Sequence, residues 1–137
     1  MRFSVYKSKK LYEKYSNMIG TKMCYQNIFR ISVLELEKFN SGKWKIAYGY
    51  VSIYEDSLFA RHCFIIDSDN IIDPTIFVTG EVKENPEYMV FKVFDDYNDY
   101  YTMIEKNDFK PDLIYPLREL DYKLVKEMLE QNKYLIT

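Results

Sequence analysis

Three side chains in this 137-residue chain could together activate a nucleophile: Cys24, His62 and Asp73. A cysteine attacks as its thiolate, and the unsatisfied N–H groups and dipole at a helix N terminus favour that form. Cys24 opens a helical pattern and so stands where such help exists. Its own N–H lacks an intrahelical partner there and offers part of an oxyanion hole. His62 is the only histidine, so a general base of that type has to be this one. The second cysteine, Cys63, follows His62 on the same strand pattern and points to the opposite face, which makes it a core residue rather than the nucleophile.

The third member follows from strand register. A two-residue turn at Ser68-Asp69 sets Phe64 opposite Asp73 and His62 opposite Thr75. Asp73 then shares a face with His62 as a diagonal neighbour, ~7–8 Å away along the backbone and closer at the side-chain tips. From there it can orient the imidazole through its second nitrogen. Asp67 and Asp69 lie nearer the turn and do not reach. Each residue also has an ordinary reading: Cys24 as a small hydrophobe at a helix end, His62 as a satisfied buried side chain, Asp73-Pro74-Thr75 as a turn that ends a strand.

The elements that must position these residues can be read from periodicity. Residues 7–18 carry Leu11, Tyr12, Tyr15 and Met18 at helical spacing, with a stop at Gly20. A second helix is predicted from Met23 to about Phe39, ended by Asn40-Ser41-Gly42. Apolar residues nearly encircle it, as in a central buried helix. Trp44 to Tyr54 reads as a central strand, apolar on both faces. Leu58 to Ile66 carries His62, and Ile71-Ile72-Asp73 follows the turn until Pro74 stops ladder donation. A strand at Tyr88 to Phe94, a helix at Asp95 to Asn107 and a last helix from Leu117 to Asn132, with Leu120, Leu124, Met128 and Leu129 inward, complete the chain. Helices first, then an antiparallel sheet, then helices, is an α+β fold with a C-terminal helix, and the length suits one domain over 1–137.

Composition narrows the function classes. The chain is 47% hydrophobic and 18% aromatic, far from the signature of disorder. No apolar run approaches the ~18 residues of a membrane span, so a cytoplasmic location and no membrane partner are expected. Two cysteines in a chain of this size read as free thiols, and with one histidine they do not make a zinc set, so no metal or cofactor is expected. The net charge of −2 is unevenly spread: residues 1–30 hold seven Lys/Arg against one acid, and residues 84–109 hold seven acids against two lysines. The basic stretch Lys7, Lys9, Lys10, Lys14 and Lys22 could meet phosphate, but the overall balance disfavours nucleic acid.

With these residues in order, the chain resembles the papain-like and transglutaminase-like cysteine hydrolases, in particular small bacterial and phage proteins. The resemblance lies in Cys24-Tyr25-Gln26-Asn27, Tyr48-Gly49-Tyr50-Val51, Arg61-His62-Cys63-Phe64-Ile65-Ile66-Asp67 and Ile71-Ile72-Asp73-Pro74-Thr75, covering roughly residues 22 to 78. It implies a papain-like core and a Cys24, His62, Asp73 triad acting on a protein or peptide amide. Papain relatives often place an oxyanion-hole Gln a few residues before the cysteine. Asn17 is the nearest upstream amide here and is carried as the oxyanion candidate. Phe64 stands where the small proteins often have Trp. The alternative from another class is a binding or inhibitory module on the same scaffold, using the acidic, Tyr-rich surface from Asp95 to Asp108.

Overall fold

A computed structural model describes residues 1–78 and 84–136, with the backbone alone for 53–55. The fold is α+β. Strand β1 (Arg2–Phe3) leads into α1 (Val5–Tyr15), whose N-cap Ser4 accepts a hydrogen bond from the Lys7 N–H at 3.1 Å. Next come α2 (Cys24–Leu34), α3 (Leu36–Asn40), β2 (Lys45–Glu55), β3 (Leu58–Asp67) and β4 (Asn70–Ile72). A 3-10 turn at Pro74–Phe77 precedes β5 (Tyr88–Phe94) and α4 (Tyr97–Lys106), and a second at Tyr115–Leu117 leads into α5 (Arg118–Glu130) and then β6 (Tyr134–Leu135).

The sheet runs β1-β4-β3-β2-β5, with β6 pairing the start of β3. Its centre is antiparallel, as the periodicity predicts, and β2 lies between β3 and β5. Two short strands add parallel pairings to that centre: β1 runs parallel to β4, and β6 parallel to β3. β1 and β6 are each two residues long, too short to leave a periodic signature. The β3–β4 hairpin takes the expected register, with Asp67 opposite Asn70, Ile66 opposite Ile71 and Ile65 opposite Ile72.

The single helix expected from Met23 to Phe39 is two. Glu35 leaves helical geometry (φ −110°, ψ 39°), and its carboxylate receives Lys14 Nζ at 2.7 Å. The encircling apolar pattern is misleading too, because Val33, Leu34 and Leu36 are exposed while Cys24, Asn27, Ile28, Ile31 and Ser32 face inward. In α5, Leu124 and Met128 pack on Tyr50 and Phe59, but Leu120 and Leu129 stand 43% and 50% exposed.

The main core joins α2 and α4 to one sheet face through Ile28, Ile31, Tyr48, Cys63, Ile65, Tyr100 and Ile104. The opposite face carries Ala47, Phe64, Ile66 and Ile71, with Tyr88, Val90 and Val93 half-buried around them. Among the described residues, no helix is long and apolar enough to cross a membrane.

Candidate active site

Cys24 is the first residue of α2, and its neighbour before the helix, Met23, supplies no side-chain cap. The opening amides of α2 therefore have no capping side chain and point toward the thiol end of the helix. The turn leading in is fixed by Asn27, which is fully buried. Its Oδ1 accepts the Gly20 N–H at 3.0 Å, and its Nδ2 donates to Gly20 O at 2.9 Å and to Thr75 Oγ1 at 3.1 Å. One side chain thus ties the loop before Cys24 to the segment after Asp73. Asparagine inside a helix gives up helix propensity, and here it gains three hydrogen bonds.

His62 sits in the middle of β3, 5% exposed, with Gly49 of β2 directly across. Its Nε2 is 2.7 Å from Asp73 Oδ2. That bond occupies Nε2 and leaves Nδ1 as the ring's other nitrogen. Phe64 stacks beside the ring, with centroids 6.3 Å apart and planes at 22°. Asp73 is completely buried. Its backbone N–H donates to Ser8 Oγ at 2.9 Å, and Tyr88 Oη donates to the same Oδ2 at 2.6 Å. The other oxygen, Oδ1, has no partner among the described residues.

Burial alone would push the imidazole toward its neutral form. The charge of Asp73, then that of the Cys24 sulfur, and hydrogen bonds to both outweigh it and hold His62 well above the ordinary histidine value. Burial, reinforced by Asp73, drives the Tyr88 phenol well above its usual range, so Tyr88 stays a donor. Burial likewise pushes the Cys63 thiol well up, with the charges of Cys24 and Asp73 adding to it. Cys63 is fully buried in the α2-facing core and is a neutral packing thiol.

Cys24 and His62 line one cavity of about 330 Å³, together with Thr21, Lys22, Tyr25, Ala60, Arg61, Thr75, Ile76 and Ile136. Arg61 is engaged: its guanidinium meets Asp121 Oδ2 at 2.6 Å, while Tyr50 Oη donates to the other oxygen at 2.6 Å. Asn17 lies exposed in the turn after α1 and is not among the residues that line this cavity.

Sequence reasoning missed Tyr88, Ser8 and Asn27. For Asn27 a signal existed, a polar residue on the inward face of α2; Tyr88 and Ser8 reach Asp73 from β5 and α1 through pairings that leave no local mark. The Tyr-rich run is largely internal: Tyr100 is fully buried, and Tyr97 is buried with its hydroxyl 3.0 Å from Ser32 Oγ. It offers less aromatic surface than its sequence suggests. Both cysteines are free, and among the described residues no three His, Cys, Asp or Glu side chains converge as a metal site.

No family model matches the chain, and no curated protein or solved structure matches it.

Proposed function

We propose that the protein is a cysteine-dependent hydrolase or acyl transferase acting on a carboxamide, with Cys24 as nucleophile, His62 as general base and acid, and Asp73 as the group that orients His62. The observation that carries this reading is the buried 2.7 Å contact between His62 Nε2 and Asp73 Oδ2, on a histidine that shares its cavity with a cysteine at a helix start. The papain-like resemblance of residues 22 to 78 agrees with it.

In the reaction, the Cys24 proton already rests on His62 Nδ1, and the sulfur attacks the amide carbon as the thiolate of that ion pair. The N–H of Cys24 stabilises the oxyanion. His62 then gives its proton to the departing amine, leaving a thioester on Cys24. Water or a second amine, deprotonated by His62, attacks the thioester and releases the acid or the exchanged amide. Asp73 fixes the ring so that Nδ1 faces sulfur throughout.

The test is site-resolved alkylation by iodoacetamide, read by mass spectrometry on the folded chain, with Cys63→Ala as control. Labelling should fall on Cys24, persist in Cys63→Ala and slow by about tenfold or more in His62→Ala, since a general base contributes roughly 10²–10⁴. Equal, slow labelling of both cysteines, unchanged by His62→Ala, would sink the catalytic reading.

A further inference from the structure

We infer that the lysine-lined cavity between α1, α3 and the start of β2 is a binding site for a small ligand carrying two or three linked phosphates. The cavity measures about 340 Å³, is lined by Lys7, Lys10, Lys14, Lys38 and Lys43 with Glu35 and Asp67, and shares no residue with the Cys24 cavity. Five ammonium groups against two carboxylates leave three positive charges in excess, on a chain whose net charge is −2.

The arrangement differs from an ordinary solvated helix face in three ways. Lys7, Lys10 and Lys14 form one stripe of α1, as residues three and four apart do, whereas Lys38 and Lys43 come from elsewhere in the chain. Three parts of the fold therefore converge on one concavity. The two carboxylates belong to its floor: Asp67 is buried, and the Glu35 side chain is 12% exposed. They hold lysine heads in place, Lys7 Nζ to Asp67 at 3.1 Å and Lys14 Nζ to Glu35 at 2.7 Å, with Lys38 Nζ 3.9 Å from Glu35. Asp67 is itself fixed by Trp44 Nε1 at 3.2 Å, and Lys38 lies 4.2 Å over the Trp44 ring.

Lys10 and Lys43 have no acidic partner among the described residues, and Lys10 rests 5.7 Å over the exposed Tyr6 ring. The floor thus preorganises the cationic rim, and the unpaired ammonium groups are left for the ligand. Lysine suits this role as a compact point charge with three donors that can meet several phosphate oxygens. The Trp44 ring is covered by Lys38 and buried, so no stacking face is free there for a base. The recognised chemistry is the phosphate chain itself.

The experiment is calorimetric titration of the full chain with inorganic tripolyphosphate at low and at physiological ionic strength. A single saturable site is expected, weakening as salt rises because the charges are solvent-screened. The double variant Lys10→Glu, Lys43→Glu should lower the affinity by about tenfold or more. Lys9→Glu, on the same helix but outside the cavity lining, should leave it unchanged. Circular dichroism confirms folding, and Lys10→Ala, Lys43→Ala repeats the comparison without charge reversal if the first pair fails to fold. Absence of binding, or equal losses in the Lys9 variant, overturns the site. Tighter binding of hexa-aspartate or of a single-stranded oligonucleotide than of tripolyphosphate overturns the small-phosphate reading.

Discussion

At the scale of single residues, Asp73 does two things that substitution can separate. Its charge holds the imidazolium, and its geometry points the ring. Asp73→Asn removes the charge and keeps the shape, so kcat/KM should fall roughly 10²–10⁴-fold. The alkaline limb of the pH profile should also move down toward the ordinary histidine value, because Asp73 is the strongest of the influences that hold His62 up. Tyr88→Phe does the reverse. It takes a donor from a carboxylate that still faces His62, so the limb should stay or rise while folding stability drops by about 1.5–3 kcal/mol, the worth of a hydrogen bond to a charged group. A limb that moved down in both variants would show instead that the Tyr88 donor is needed to keep Asp73 charged against His62. The difference in legibility is physical. Asp73 could be found by counting because a tight turn fixes its pairing with β3. Tyr88 belongs to β5, whose register against β2 is interrupted by a bulge between Tyr48 and Gly49, and no count along the sequence reaches it.

At the scale of elements, that bulge is where the sheet is least tolerant. A Cβ at Gly49 would collide with the Met89 carbonyl oxygen and lie 2.9 Å from Val90 Cα, so the obstacle is backbone and cannot swing aside. Gly49→Ala should therefore cost at least about 1–3 kcal/mol, seen as a lower urea midpoint. It should also weaken activity, since Gly49 pairs with His62; a wild-type midpoint would refute the close approach. The order of helices and strands and the central position of β2 were legible because long periodic segments report their own burial. The break at Glu35 was not, because it depends on a lysine 21 residues away on α1. Nor were β1 and β6, whose only reason to be strands is the neighbour they meet.

At the scale of the whole molecule, the site titrates with the fold. His62 is enclosed by Asp73, Cys24, Tyr88 and Phe64, contributed by α2, β3, β5 and the segment after β4, so its proton affinity changes when those elements separate. Folding raises the histidine above its ordinary value. Such a group adds stability that is fully present below the unfolded value, about 6.5, and is lost as pH rises through the higher folded value. The unfolding free energy of the wild type, compared with that of His62→Gln by urea titration at a series of pH values, isolates this contribution. The gap should be widest at about pH 6 and narrow steadily as pH climbs through the folded value of His62. A gap that widened with pH would mean that burial, which favours the neutral ring, outweighs Asp73. The ring would then enter the reaction already neutral, and proton transfer from Cys24 would have to begin from an uncharged pair.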